Sequence, residues 1–334
     1  MIKNAAGREV ITEINGQPAI PFKGVGKYKP EGRKHAPRIA SCADYPDDGD
    51  KRVKTIKEAL TRAGIKDGMT ISTHHHFRNG DMLANMLFDA VSELGIKDIR
   101  WFPSASFPCH EHLIQYLDDG TIHHIEGSMN GPLGRYVSEG NMKGMAVLRS
   151  HGGRYQAVQD GEVQIDIAVI GAPMADPFGN ANGLDGDSAC GLLGFALADS
   201  QYADRVLVVT DNMVPFPCIP WQIQGNYVDY TVEVPKLGIP EQIVSGTTRI
   251  TKSPDRLLLA EMTARFCDAA GIIKDGFSFQ SGAGGTSLAV GEFFKALMKE
   301  KGIKARFARG GSNKYLVSML EEGLLDYILD GQTF

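Results

Sequence analysis

Three glycines within four residues, Gly282-Ala283-Gly284-Gly285, follow the apolar run Phe277-Ser278-Phe279-Gln280 and precede a helical pattern opening near Thr286 or Ser287. Glycine takes positive φ at little cost and lets a backbone approach a ligand closely. The first N–H groups of a helix have no intrahelical partner and lie at the positive end of its dipole. Such a corner can hold an anion, either a phosphate or the oxyanion of an acyl transfer. Tight packing of a strand against a helix would account for the same glycines, so both readings stand at this point.

A second group is Thr73-His74-His75-His76-Phe77-Arg78-Asn79-Gly80-Asp81, between an apolar strand pattern and a helical one. In open α/β sheets ligands gather at the carboxyl ends of strands. Imidazoles and a guanidinium there suit a polycarboxylate, because arginine pairs with carboxylates through two parallel hydrogen bonds. Histidine can also move protons. Adjacent side chains diverge, so three consecutive histidines do not readily share one metal ion, and no metal site is expected. The alternative is that these histidines only cap strand and helix ends. Ser150-His151-Gly152-Gly153-Arg154 repeats the theme, placing His151 and Arg154 after another short apolar strand. Asp176-Pro177-Phe178-Gly179-Asn180-Ala181-Asn182-Gly183 reads as a tight turn or as a loop lining a site. His110-Glu111-His112 and His123-His124 read as surface or satisfied core histidines.

These groups need a scaffold. The chain has 334 residues, enough for two domains. A net charge of −5 argues against a nucleic-acid partner. No apolar run is long enough to span a bilayer, and the first residues lack the apolar core of a signal peptide, so a cytoplasmic protein is expected. Five scattered cysteines without a C-x-x-C pair suit buried, reduced thiols.

Residues 1–50 read as an extended arm holding Gly24-Val25-Gly26. From Lys51 the period becomes helical, and apolar strand patterns follow at Met69–Thr73, Asp98–Phe102, Ala146–Leu148, Ile165–Ile170, Arg205–Thr210 and Val228–Val234. Asp81–Leu94 reads as a helix capped by Asp81 and stopped by Gly95. Strands apolar throughout, alternating with helices, predict a parallel sheet covered on both faces. The first domain is therefore placed at 51–244. A second, 245–334, opens with a helix at Ser253-Pro254 and contains the glycine corner, a strand at Ala305–Phe307, a helix near Tyr315–Glu322 and a last apolar run, Leu324–Leu329. About three strands make a thin sheet for an independent α/β domain, so this unit is expected to be incomplete or to finish its sheet with another chain.

Taken together, Met69-Thr70-Ile71-Ser72-x-His74-His75-x-Phe77-Arg78-x-Gly80-Asp81, Phe178-Gly179-Asn180-Ala181-Asn182-Gly183 and Asp275-Gly276-Phe277-Ser278-x-Gln280-x-Gly282-x-Gly284-Gly285-x-Ser287-Leu288-Ala289-Val290 resemble the citrate lyase alpha subunit family, from about Gly24 to Phe334. The resemblance implies an α/β fold of two CoA-transferase-like units with mostly parallel sheets. Family members continue past Phe334, so the second unit is expected to be truncated here. It implies thioester exchange: citrate replaces acetate on the thiol of an acyl carrier protein, with acetyl-CoA as a stand-in. A beta subunit, an acyl-carrier gamma subunit and an oligomer are the implied partners, and no covalently bound cofactor is implied. Related CoA transferases use a glutamate after the strand that follows the glycine corner; Phe307-Ala308-Arg309-Gly310-Gly311-Ser312-Asn313-Lys314 has none, which suggests direct exchange without an acyl-enzyme.

Carried onto this sequence, the expected oxyanion donors are Gly282, Gly284 and Gly285. The expected carboxylate-binding residues are His74, His75, Arg78, Asn79, Gly80, His151 and Arg154. Contacts to the thioester arm are expected from Gly24, Gly26, Asn180, Asn182, Gly183, Gln280, Ala283 and Gly311. Another carboxylate CoA-transferase, a sugar-phosphate isomerase or binder on the same scaffold, and a noncatalytic assembly subunit are the other readings.

Overall fold

The computed structural model describes residues 2–3, 7, 9–14, 17–19, 46, 48–243, 249–282 and 284–333. Gly24, Gly26 and Ala283 lie outside them. The chain divides into two compact units, Met1–Ala189 with Phe195–Ile243, and Cys190–Gly194 with Val244–Phe334.

The first unit is built on eight strands: β1 Arg52–Val53, β2 Thr70–Thr73, β3 Ile99–Pro103, β4 Ile122–Glu126, β5 Met145–Val147, β6 Ile167–Gly171, β7 Arg205–Thr210 and β8 Tyr230–Glu233. They pair side by side in the order β1-β8-β7-β6-β2-β3-β4-β5, and every pairing is parallel. Parallel neighbours need long crossovers, which the helices supply. Those used below are α1 Ile56–Arg62, α2 Leu83–Glu93, α3 His151–Gln159 and α4 Gly194–Tyr202. β2 and β6 are buried at every residue, as strands covered on both faces must be. Trp101, Phe88 and Phe102 fill the core beside them, and the buried Trp101 indole donates to Thr73 Oγ1 at 2.9 Å.

From β2 the chain steps one way along the sheet through β3, β4 and β5, then returns to lay β6 on the other side of β2. The carboxyl ends of β2 and β6 therefore flank the point where strand order reverses, the usual ligand position in such sheets. The His74–Arg78 segment leaves from there. Gly171, the last residue of β6, has no room for a side chain: a Cβ would lie 2.3 Å from the Phe77 ring.

Most sequence boundaries agree with the structure within two residues. The helix expected from Asp81 starts at Leu83. Asp81 Oδ1 accepts the Leu83 N–H at 2.8 Å, while its Oδ2 holds His110 Nε2 at 2.9 Å. His110 is thereby a satisfied core histidine on a 3₁₀ turn, Pro108–Leu113. The two-residue edge strand β1 gave no periodic signal. Within residues 1–50, the described part holds two small antiparallel ribbons, Ile2–Lys3 with Glu9–Val10 and Glu13–Ile14 with Gln17–Pro18.

The second unit has three parallel strands in sequence order, β9 Ser278–Gln280, β10 Ala305–Ser312 and β11 Leu325–Thr333. The strand expected to end at Phe307 runs to Ser312. Helix α5, Pro254–Ala269, precedes the sheet; α6, Gly285–Lys301, and α7, Lys314–Glu321, are its crossovers. Phe277, Phe294, Met298, Ala305, Ala308, Leu316, Met319 and Leu325 are buried together as its core. Ser253 occupies the N-cap of α5 with Pro254 after it, but its side chain makes no capping bond.

Candidate functional site

The residues after β2 are built in layers. His74 and Asp199 have wholly buried side chains, and His74 Nε2 donates to Asp199 Oδ2 at 2.8 Å. Arg154 meets the same carboxylate through both its terminal nitrogens, at 2.9 and 2.6 Å, and donates to the Phe102 carbonyl at 3.1 Å. Its guanidinium carbon stands 4.3 Å from the Phe102 ring centre. Burial would push the Asp199 carboxyl up, but the Arg154 charge and then His74 hold it well below the usual carboxylate range. Burial lowers the His74 pKa despite Asp199, so the ring is neutral at pH 7 and carries its proton on Nε2. Nδ1 is left as a buried acceptor without a hydrogen-bond partner among the described residues.

His75 lies in the next layer. Its backbone N–H donates to Ser104 Oγ at 3.0 Å, and its ring Nδ1 is 2.5 Å from the same oxygen. Its ring is 5.5 Å from His151 and 5.2 Å from Phe195, centre to centre, and His151 is 4.9 Å from Phe195. The spacing in sequence explains the two layers. His151 and Arg154 are three residues apart on α3, and Phe195 and Asp199 are four apart on α4, so each helix sends one side chain to each layer. His151 is the exposed member, at the first turn of α3, where Ser150 Oγ accepts the Gly153 N–H at 3.0 Å. Burial and the Arg154 charge lower its pKa, so it too is neutral at pH 7. His76 points elsewhere, donating from Nε2 to the Gly171 carbonyl at 2.8 Å, and burial pushes its pKa to about 4.

Arg78 is buried and sits at φ +55°, a left-handed conformation uncommon outside glycine. The turn that holds it is clamped from both sides. Asn79 accepts the Cys109 N–H at 3.0 Å and donates to Gln242 at 2.9 Å; Gly80 O accepts the Ile239 N–H at 2.9 Å. A Cβ on Gly80 would lie 2.6 Å from the Ile239 oxygen, so only glycine fits there.

His74 and Arg154 thus meet on the Asp199 carboxylate, and His75 and His151 are in ring contact. The loop after β6 uses its amides internally. Asp176 accepts from the N–H of Phe178 (2.9 Å), Asn180 (3.1 Å) and Cys218 (2.8 Å), and from Asn180 Nδ2 (2.8 Å). Asn180 Oδ1 accepts the Gly225 N–H at 3.0 Å. Asn182 donates to the Pro220 carbonyl at 2.8 Å and accepts the Leu184 N–H at 2.9 Å; the Gly183 N–H reaches Gln222 Oε1 at 3.3 Å. These bonds match the tight-turn alternative for Asn180 and Asn182. The residues that sequence reasoning missed are Asp199, Ser104 and Phe195. Asp199 carried one usable signal, an acidic residue inside an otherwise apolar helical run.

In the second unit, Gly284 is the N-cap of α6 and brings no capping side chain. A Cβ there would meet nothing within 4 Å among the described residues, whereas one on Gly285 would lie 2.7 Å from the Arg249 oxygen and 2.9 Å from the Thr251 nitrogen. Thr251 N–H donates to the Gly285 carbonyl at 3.1 Å. Gly282 packs near Ser287. Gln280 is exposed at the end of β9, and Gly311 lies within β10.

Among the described residues, no group of histidine, cysteine or carboxylate side chains could hold a metal ion, and no helix is long and apolar enough to cross a membrane. A cleft of about 360 Å³, bounded by residues that include Lys57, Met86, Glu93 and Pro235, is lined by none of the site residues above.

Comparison with known proteins adds a family. Residues 49–334 match the family described as citrate lyase, alpha subunit (CitF). The chain is 40% identical over 285 residues to the citrate lyase alpha chain of Haemophilus influenzae, covering 85% of this chain and 57% of that one. It is 38% identical over 332 residues to that of Klebsiella pneumoniae, covering 98% and 64%. The chain therefore spans under two thirds of the length of these relatives. A solved structure from Streptococcus mutans, named as a citrate lyase alpha subunit in complex with citrate, is 44% identical with a TM-score of 0.84, covering 94% of this chain and 60% of that one. The alpha subunit of a malonate decarboxylase from Acinetobacter baumannii (18% identical, TM-score 0.64, covering 87% and 53%) and an acyl-CoA transferase from E. coli O157:H7 (16%, 0.54, covering 85% and 69%) share the fold.

Proposed function

This chain belongs to the citrate lyase alpha subunit family, and from that premise we propose that it exchanges acyl groups on a thioester, converting acetyl thioester and citrate into citryl thioester and acetate. A citrate carboxylate oxygen attacks the acetyl carbonyl carbon. The carbon–sulfur bond breaks, and the thiolate leaves a citryl–acetyl anhydride. The thiolate then attacks the citryl carbonyl of that anhydride, and acetate departs with the bridging oxygen. No net proton transfer is needed, which suits the neutral imidazoles found after β2. Holding two anionic reactants in line can contribute about 7–11 kcal/mol.

The observation that carries this reading is the cluster at the strand-order reversal: His75 and His151 in ring contact beside the clamped Arg78 turn. We assign Arg78, His75 and His151 to the citrate carboxylates. His74 and Arg154, engaged by Asp199, hold that layer in place. The relative from S. mutans was solved with citrate, which favours the same ligand here. In the second unit, the α6 N–H groups beside Gly284 are assigned to an anionic oxygen of a ligand. The thiol is assigned to an acyl-carrier gamma subunit or coenzyme A, with cleavage on a beta subunit.

The test is acetyl-CoA:citrate exchange with Arg78→Ala and His151→Ala. A fall of at least tenfold in kcat/KM for citrate is expected from each. Values within a few-fold of the unmodified protein would sink the assignment. A thermal-shift titration with citrate, acetyl-CoA and ribose 5-phosphate ranks the competing ligands, since stabilisation grows with [L]/Kd; a preference for the sugar phosphate would replace the reading.

A further inference from the structure

The Arg78 turn is held by a strap that starts three strands away. Asp81 and Gly238 form an antiparallel bridge. On either side of it the Met82 N–H donates to the Leu237 carbonyl at 3.2 Å, and the Ile239 N–H donates to that of Gly80 at 2.9 Å. The turn follows β2, whereas Leu237 and Ile239 follow β8, and β6 and β7 lie between those two strands. Three strand spacings come to about 14 Å. The Val234 N–H still bonds the Thr210 carbonyl of β7 at 2.8 Å, so the strap leaves the sheet only after it. The chain from Val234 to Gly238 reaches at most about 14 Å. It therefore crosses the carboxyl ends of β7 and β6 with little slack.

The crossing is supported midway. Asp211 directly follows β7, and its Oδ2 accepts the Leu237 N–H at 3.0 Å and the Ser188 hydroxyl at 2.5 Å. Ser188, from the loop after β6, is wholly buried. Asp211 itself stands on a fixed base. The next residue, Asn212, donates its N–H to Thr210 Oγ1 at 3.1 Å, and its carbonyl accepts the Ala175 N–H at 3.2 Å. A carboxylate oxygen can accept from two donors at once. Asp211 Oδ1 is buried without a hydrogen-bond partner among the described residues, so the grip on the strap rests on Oδ2.

We infer that Asp211 is a positioning residue for the carboxylate ligand: it sets the height of the strap, and the strap sets the Arg78 turn. The inference rests on the assignment of Arg78 to citrate. Arg78 at φ +55° is in a conformation that persists only where its surroundings over-determine it. The strap supplies the bonds to Gly80 and Met82, and its Gln242 receives the Asn79 amide at 2.9 Å. Without Asp211 the strap stays attached at its ends but is free to shift at Leu237. The guanidinium then loses its fixed bearing, while groups that hold the thioester are untouched.

The experiment follows acetyl-CoA:citrate exchange and hydrogen exchange in Asp211→Leu and Asp211→Asn. Leucine removes the acceptor; asparagine keeps one oxygen for Leu237 and Ser188. For Asp211→Leu the KM for citrate should rise at least tenfold, with kcat and the KM for acetyl-CoA within threefold of the unmodified protein. The Met82 and Ile239 amides should exchange at least tenfold faster. Asp211→Asn should restore all four quantities to within threefold. Ser188→Ala, a milder change should the leucine variant not fold, should raise the citrate KM about threefold. In an Arg78→Ala background Asp211→Leu should add less than threefold, because it acts through the residue already removed. An unchanged citrate KM, equal losses for both substrates, an asparagine variant as impaired as the leucine one, or unaltered exchange at Met82 and Ile239 would each overturn the inference. If Arg78→Ala itself leaves the citrate KM unchanged, the assignment of Arg78 has failed, and exchange at Met82 and Ile239 still decides whether Asp211 holds the turn.

Discussion

Arg154 and Asp199 meet through two parallel hydrogen bonds, 2.9 and 2.6 Å long, with side chains 3% and 0% exposed. The pair joins α3 to α4, and because His74 adds a third bond to the carboxylate, it also fixes the segment leaving β2.

Removing one partner of a buried pair leaves an uncompensated charge. Asp199→Asn is expected to cost about 3–5 kcal/mol, and Asp199→Leu combined with Arg154→Met should recover most of that. Urea unfolding followed by tryptophan fluorescence reads the first unit, which contains both Trp101 and Trp221. A loss below about 1 kcal/mol for Asp199→Asn would show that the pair is not held as described.

Acid should destabilise the first unit in two steps. His74 and His76 have depressed folded pKa values, His76 falling from 6.5 to about 4. The unfolded chain binds the proton first, so both contributions are intact above pH 6.5 and erode as the pH falls, that of His76 between 6.5 and about 4, by up to about 1.4 kcal/mol per pH unit. Glu126, opposed by burial but held at about 2 by His124 and Arg149, contributes stability present above pH 4.5 and lost toward pH 2. His76→Gln should flatten the first step and leave the second. A curve unchanged between pH 6.5 and 4 would contradict the burial of a neutral His76.

The two neighbouring glycines of the second unit should behave oppositely. Gly285→Ala must displace the Arg249–Thr251 backbone and should cost about 1–3 kcal/mol. Gly284→Ala, in open space at φ −73°, should leave stability within about 0.5 kcal/mol. Hydrogen exchange across β9–β11 measures both. If Gly284→Ala nevertheless slows acyl exchange, the corner is a ligand contact and not only a packing device.

Ser104→Ala removes the hydroxyl that meets both the backbone and the ring of His75. Citrate affinity measured by calorimetry is expected to fall about tenfold, or ~1.4 kcal/mol. An unchanged Kd would separate His75 orientation from binding.

The strands were legible because their apolar runs are short and bounded by turn residues; Arg205–Thr210 matches the expected span to the residue. The histidine segment was legible because it lies between a strand and a helix. Asp199 was not, since a helical pattern shows which face is apolar but not that one buried carboxylate on it faces His74 and Arg154 from distant parts of the chain. Asn180 and Asn182 illustrate the converse. Their residue types suit a binding loop and a tight turn equally well, and only the coordinates show their side-chain amides bonded to Asp176, Pro220, Leu184 and Gly225.

Lys51 immediately precedes β1, and its ammonium group is buried against the Gly225 and Val228 carbonyls at 2.6 and 2.7 Å, the latter 177 residues away. β1 lies against β8, the last strand of the unit to be made. On a ribosome the earliest strand must wait, without a neighbour, until nearly two hundred further residues have emerged. The clamp on the Arg78 turn has the same dependence, since Ile239 and Gln242, which hold Gly80 and Asn79, follow β8 in the chain.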